Sequence, residues 1–162
     1  MAQSTGVLAF KIIFRWLPTD WPGFLFSAFE TVVCLGAALL GGLIVGLERE
    51  RLHRPAGVRT HILVSVGSAG FVHLGVLAAG TGDFYRLIQA IATGIGFLGA
   101  GAIFRHGDDV RGVTTAASLW AMGAVGAAAG AGAILFALFL SCVFYVVLRW
   151  LRFLDRPKDQ PK

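Results

Sequence analysis

The sequence predicts an all-α integral membrane protein with five transmembrane helices and a short N-terminal interfacial segment. Its 162 residues are 56% hydrophobic and 14% charged, whereas about 25% of a typical soluble domain is charged. The mean hydropathy is +0.74, and short polar connections separate the apolar runs. We expect an interfacial segment at 1–23, a membrane domain at 24–150 and a basic cytoplasmic tail at 151–162.

The N-terminal segment alternates apolar clusters with single basic residues. Lys11 and Arg15 interrupt residues 7–17, and Pro18 and Pro22 follow, which is typical of a short helix lying in the membrane interface. Because a clean apolar core and an A-x-A site are missing, the segment is not predicted to be a cleavable signal peptide.

Five apolar runs are long enough to be considered as spans of a hydrocarbon core of about 30 Å. They cover residues 24–47, 60–79, 87–104, 113–129 and 133–148. Eleven of the fourteen Lys and Arg residues then fall on one side of the membrane. Since an excess of basic residues marks the cytoplasmic side, we expect an external N-terminus and a cytoplasmic C-terminus.

The first span combines one acidic residue with a ladder of small residues. Glu30 is its only ionisable residue, and an acid within a span usually faces protein or water. A proton or cation role and an interfacial structural role both remain open for Glu30. Ala38, Gly42 and Gly46 recur every four residues, which predicts a face for close helix packing.

The second half of the third span contains a glycine-rich motif that formally matches the dinucleotide fingerprint GxGxxG. The fingerprint has meaning only between a strand and a helix of a soluble βαβ unit, and that context is missing. We therefore interpret Gly94, Gly96, Gly99 and Gly101 as packing positions. A helix with so many small residues is expected to be central and contacted on several sides.

Two sets of polar residues are candidate sites. Charged residues leave the first span, enter the second and bracket the 105–112 turn on one side, which predicts one cytoplasmic cluster. Its members are Glu48, Arg49, Arg59, Thr60, His61, Arg105, Arg111, Thr114 and Thr115. An outer or intramembrane set comprises Glu30, Asp83, Arg86, Gln89 and Thr93. The cluster either contacts anionic lipid and pairs internally, or forms a docking or gating surface.

The sequence gives little indication of a metal site, a disulfide or a catalytic centre. Asp83, Asp108 and Asp109 could offer oxygens to Mg²⁺, but adjacent acids in a turn are more often solvated or paired with arginines. Cys34 and Cys142 both fall within apolar spans and predict no disulfide. The sequence predicts no metal site, cofactor or nucleic-acid partner, and no nucleophile and base for an enzyme.

Five ordered motifs resemble the membrane domain of the MgtC/SapB family over about residues 36–130. They are GLERE at 46–50, PAGVRTH at 55–61, Asp83 with Arg86, GIGFLGAGAI at 94–103, and VRGVTTAA at 110–117 with Trp120. The resemblance implies a five-helix domain of the bacterial inner membrane with an external N-terminus.

The resemblance also implies a link to bacterial Mg²⁺ homeostasis. A virulence-associated branch of the family restrains the F-type ATP synthase and carries a soluble C-terminal domain. That branch has Asn at the positions matching His61 and Thr114, and the present sequence ends shortly after Arg152. We therefore expect this chain to lie nearer the SapB side, without the soluble domain.

Two functional hypotheses remain open. The first is a non-enzymatic regulator that binds a partner through intramembrane helix faces, either as a homo-oligomer, with a dimer favoured, or with another membrane protein. The second is a small ion channel or carrier, linked to Mg²⁺ or protons, that works as an oligomer.

Overall fold

The computed structural model describes residues 21–79, 84–107 and 109–151, and this part of the chain forms five helices and one β-hairpin. In order, these are α1 (Trp21–Arg51), α2 (Val58–Ala79), α3 (Phe84–Gly101), β1 (Phe104–His106), β2 (Asp109–Arg111), α4 (Val113–Gly130) and α5 (Ile134–Trp150). The predicted helical architecture is therefore present. The interfacial helix predicted at 7–17 lies outside the described residues.

Three of the described helical segments are long and apolar enough to cross a membrane. They are Ser27–Arg51, Val58–Ala78 and Val113–Gly130. The apolar α5 has 17 residues, at the lower end of the length that a span of about 17–25 residues requires. Arg86 and Gln89 make the first turns of α3 polar. The arrangement with five spans stays a prediction.

The chain divides into two compact units, Met1–Val32 and Val33–Lys162. In the described part of the first unit, the Thr31 hydroxyl donates a hydrogen bond to the carbonyl oxygen of Ser27 at 2.9 Å. The second unit contains the buried core, whose cluster includes Val45, Met122 and Val125.

Helix α4 is the central helix of the second unit, because it packs against α2, α3 and α5. Ten of its eighteen residues are buried, whereas the buried residues of α3 are Ile95 and Gly99. The expectation that the glycine-rich third helix is central was therefore wrong. Alanine and glycine occur all along α4 and permit approach on several sides.

Small residues bring α1 and α2 into backbone contact. A Cβ atom at Gly42 would lie 2.7 Å from the Cα atom of Ile62, and one at Gly46 would lie 2.7 Å from the Cα atom of Val58. Such separations are too short for any side chain. The structure thus places Gly42 and Gly46, two of the three small residues spaced by four along α1, against the first half of α2.

Helices α2 and α4 approach each other even more closely. A Cβ atom at Gly126 would overlap the carbonyl oxygen of Ser65, and one at Gly130 would overlap that of Ala69. The two glycines are one turn apart and meet two carbonyls that are also one turn apart. This repeated contact fixes the register of the two helices.

The glycines of α3 behave differently from each other. Among the described residues, no atom lies within 4 Å of a Cβ placed on Gly94, Gly96 or Gly101, whereas one on Gly99 would lie 3.5 Å from Ala116 of α4. In the single chain, only Gly99 of this set therefore meets another helix. A packing role for the other three stays a prediction that concerns a partner.

The predicted 105–112 turn is an antiparallel β-hairpin, with Phe104 opposite Arg111. Helix α3 ends at Gly101, three residues before the predicted end of the third span, because the chain has already turned toward β1. Gly112 has φ +92°, and a Cβ there would overlap the carbonyl oxygen of Ala102. Glycine is therefore required where the hairpin meets α4.

Candidate functional site

A buried hydrogen bond joins the end of α1 to the first turn of α4. Nη2 of Arg49 donates to the hydroxyl oxygen of Thr115 at 2.7 Å, and the two residues are 3% and 2% exposed. The Nε atom of Arg49 has no hydrogen-bond partner among the described residues. An ionised guanidinium is thus held inside the protein with part of its donor capacity unused.

His61 continues this network into α2. Its Nδ1 atom donates to the carbonyl oxygen of Gly57 at 2.9 Å, since a carbonyl can only accept. Its Nε2 atom lies 3.1 Å from the hydroxyl oxygen of Ser118, which is also 2.8 Å from the carbonyl oxygen of Thr115. Polar contacts therefore connect α1, α4 and α2 in one buried series, and His61 is fully buried within it.

Two acidic residues beside Arg49 have different partners. Glu48 is 1% exposed, and its Oε1 atom lies 3.6 Å from Nη1 of Arg149 on α5, too far for a hydrogen bond. Glu50 is exposed, and its Oε2 atom accepts a hydrogen bond from the backbone N–H of Val58 at 2.8 Å. Glu50 therefore stabilises the start of α2, where a carboxylate also complements the helix dipole.

The other predicted members of the cytoplasmic cluster lie at the surface. Arg59, Thr60 and Thr114 are exposed. Arg105 donates to the carbonyl oxygen of Gly107 at 2.9 Å, within the hairpin. The structure therefore separates a buried group, formed by Glu48, Arg49, His61 and Thr115, from these exposed residues.

Arg111 also belongs to the exposed part of the predicted cluster. Its Nε atom lies 2.8 Å from Oδ2 of Asp109, and its side chain is 78% exposed. A pair with such exposure contributes little to stability, because water competes for both charges.

The predicted outer or intramembrane set is not gathered into a site among the described residues. Glu30 is exposed on α1, and Arg86, Gln89 and Thr93 are exposed on α3, where Thr93 donates to the carbonyl oxygen of Gln89 at 2.8 Å. Asp83 lies outside the described residues. Within the described ranges, no three His, Cys, Asp or Glu side chains come together as metal ligands would.

Sequence reasoning left Ser118, Ser65 and Arg149 out of the candidate site. Ser118 follows Thr115 by three residues, and Ser65 follows His61 by four, so helical spacing could have found both. The Ser65 hydroxyl is buried and has no hydrogen-bond partner in the described part of the chain. No sequence spacing relates Arg149 to Glu48, because their contact depends on how α5 packs beside the end of α1.

The apolar helices and the buried polar series define a small helical membrane protein. In it a buried polar network connects the end of α1 with the first turns of α2 and α4. A family model described as the MgtC family matches residues 35–157, and the chain belongs to this family. The resemblance predicted from the five motifs is confirmed.

Curated relatives agree with this assignment. Over 106 residues the chain is 54% identical to "Protein MgtC" of Brucella abortus (strain 2308), covering 65% of this chain and 44% of that protein. It is 40% identical over 127 residues to "Protein SrpB" of Synechococcus elongatus, covering 70% and 66%. "Protein MgtC" of Salmonella typhimurium (strain LT2) is 42% identical over 104 residues, covering 64% and 45%.

The chain thus matches less than half the length of these MgtC relatives, and about two thirds of SrpB. No solved structure matches the chain.

Proposed function

We propose that this protein is a non-enzymatic regulator of the bacterial inner membrane, linked to Mg²⁺ homeostasis, which acts through helix contacts with a second copy of itself. The link to Mg²⁺ comes from the family. The contact surface comes from one observation, the exposed small-residue face of α3. The N-terminus is external and the C-terminus cytoplasmic in this proposal, since eleven of the fourteen Lys and Arg residues fall on one side of the five predicted spans.

The exposed face of α3 has the spacing of a helix interface. Ala90, Gly94, Phe97 and Gly101 follow each other by four, three and four residues and are all exposed, with Phe97 81% exposed. In the part of the chain that the structure describes, nothing lies within 4 Å of a Cβ on either glycine. Two shallow positions on either side of a protruding phenylalanine suit a matching helix that carries the same pattern.

A second copy explains this face better than lipid does. Lipid tails are as apolar as leucine, so a glycine face gains little from them, whereas another helix can approach closely and gain dispersion contacts. A two-fold interface also requires one self-complementary patch, and alternation of small and large residues provides it. Elsewhere in the chain, glycines that face a helix, such as Gly126, are in close contact.

The buried polar series supports a structural function for the charged junction. Arg49, His61, Thr115 and Ser118 are bound to each other or to backbone carbonyl groups. Such groups hold three helices together. A regulator acts through a defined contact surface, and holding these helices in place keeps such a surface in shape.

Cysteine cross-linking in membranes tests the interface. Gly94→Cys and Gly101→Cys are made in a Cys142→Ser background, because Cys142 is exposed on α5 and would react itself. Oxidation is expected to give covalent dimers for both variants. The matched control is Leu135→Cys, an 85% exposed position on α5. Equal dimer formation by Leu135→Cys, or none by the α3 variants, would refute the α3 interface.

A growth assay tests the function. A strain lacking the gene is complemented at limiting Mg²⁺ by Gly94→Leu, or by the control Gly67→Leu on the open surface of α2. Both proteins are expected to accumulate, and only Gly94→Leu should fail to restore growth. Restored growth with Gly94→Leu would contradict the proposal.

The channel or carrier hypothesis is tested by ion flux in proteoliposomes. Its residues Glu30, Gln89 and Thr93 are exposed on their helices, so a path along them needs several copies of the chain. Reproducible flux that Glu30→Gln abolishes would replace the regulator by a channel.

A further inference from the structure

We infer that the protein binds a phosphate group in a cavity formed by the end of α1, the start of α4 and the end of α5. The cavity has a volume of about 170 Å³, and its polar lining comes from Arg49, Arg54 and Thr114. One water needs only about 10–15 Å³ on this measure, so the cavity has room for a polyatomic group. This inference is independent of the α3 interface.

Arg49 is the buried part of the site. It is 3% exposed and lines the cavity, and its Nε atom has no hydrogen-bond partner within the described ranges. Arg54 lines the same cavity and is exposed, and its backbone N–H is hydrogen-bonded to the carbonyl oxygen of Arg49 at 3.1 Å. Two arginines that line one cavity favour a ligand with several anionic oxygens.

The start of α4 adds a second source of positive potential. Its N-cap is Gly112, which provides no side-chain hydrogen bond, so the first backbone N–H groups lack a capping side chain. Thr114, the second residue of the helix, lines the cavity. A helix N-terminus of this kind binds anions through its N–H groups and dipole.

The neighbouring carboxylates offset only part of this positive charge. Glu48 faces Arg149 at 3.6 Å, and Glu50 accepts the backbone N–H of Val58. With Arg49, Arg54 and Arg149 at the same junction, the positive groups outnumber the acidic ones.

The apolar walls indicate which phosphate compounds fit. Leu52, Val147, Leu148 and Leu151 complete the lining, and Val147 and Leu151 are 44% and 46% exposed. A basic pocket at a helix end with an apolar side suits an anionic phospholipid, whose headgroup meets the arginines while its chains follow α5. Free phosphate shares the headgroup chemistry.

The test compares Arg54→Gln with Arg51→Gln. Arg51 lies three residues before Arg54, is exposed and does not line the cavity. Its substitution by Gln removes the same charge as Arg54→Gln. Each protein is placed in nanodiscs of phosphatidylcholine alone, the same nanodiscs with inorganic phosphate, and nanodiscs containing phosphatidylglycerol. Native mass spectrometry counts retained phosphatidylglycerol, and thermal unfolding reports stabilisation by either compound.

Binding of the preferred compound should weaken about tenfold in Arg54→Gln and remain unchanged in Arg51→Gln. Dependence on phosphatidylglycerol identifies a lipid headgroup, and dependence on phosphate alone identifies the free anion. Equal behaviour of the two variants would overturn the inference. If Arg54→Gln does not fold, Thr114→Val replaces it, and its unchanged binding of both compounds would have the same meaning.

Discussion

Arg49 and Thr115 are 66 positions apart in sequence and share a buried hydrogen bond of 2.7 Å. The bond fixes the end of α1 against the first turn of α4, beside the glycine where the hairpin ends. It also partly satisfies a guanidinium that is 3% exposed. Four predictions follow from this junction and from the helix contacts around it.

Thr115→Val should destabilise the protein by about 1–3 kcal/mol, because it leaves another N–H group of Arg49 without an acceptor while preserving side-chain size. Chemical unfolding in detergent micelles measures the change. The control is Thr60→Val, at an exposed position of α2, which should stay within about 0.5 kcal/mol of the wild type. Equal stability of the two variants would show that the buried bond is dispensable.

Ser118→Ala should cost about 1–3 kcal/mol, since it removes the partner of the fully buried His61 ring. The same change made in a His61→Gln background should cost less, because the contact it removes is already altered. Unfolding of the two single variants and the double variant gives the coupling energy. If the two changes in unfolding free energy are strictly additive in the double variant, Ser118 and His61 do not interact energetically.

Gly126→Ala should strongly destabilise the fold, because the added methyl group would overlap the carbonyl oxygen of Ser65. Gly67→Ala is the matched control on α2, where nothing lies within 4 Å, and helix propensity should make it neutral or more stable by up to about 1 kcal/mol. Membrane abundance and thermal unfolding report both. Normal accumulation of Gly126→Ala would contradict the close α2–α4 contact.

Arg149→Gln should destabilise the protein by about 1–2 kcal/mol, because the buried carboxylate of Glu48 then loses the cationic side chain that faces it from α5. The value is set below that of a fully buried pair, since the Arg149 side chain is 54% exposed. Adding Glu48→Gln should restore most of the loss. Thermal unfolding decides, and a double variant no more stable than Arg149→Gln would argue against the pair.

Much of this architecture follows from local sequence patterns. The four-residue ladder predicted a packing face at Gly42 and Gly46, and the structure puts both glycines against α2. The predicted order of the spans groups Arg49, His61 and Thr115 at one end of the helices, and the structure connects all three in one buried polar series. The ends of apolar runs are local features, which is why the sequence reveals them.

The incorrect prediction concerns which helix is surrounded by the others. Periodicity shows that α3 and α4 both carry small residues, but it does not show which of them other helices surround. Side-chain volumes on all the neighbours decide that question together. The same reason hides the division of the polar cluster, since the hairpin carries Arg105 and Arg111 to the surface while Arg49 stays buried.

The contact at Gly126 and Gly130 also restricts where solutes can travel. At these two levels the backbones of α2 and α4 touch, so neither water nor a hydrated cation has room to pass between these helices. Any ion path along this pair must therefore use a surface that faces outward from the single chain. An ion transported by this protein would therefore have to pass elsewhere than between α2 and α4.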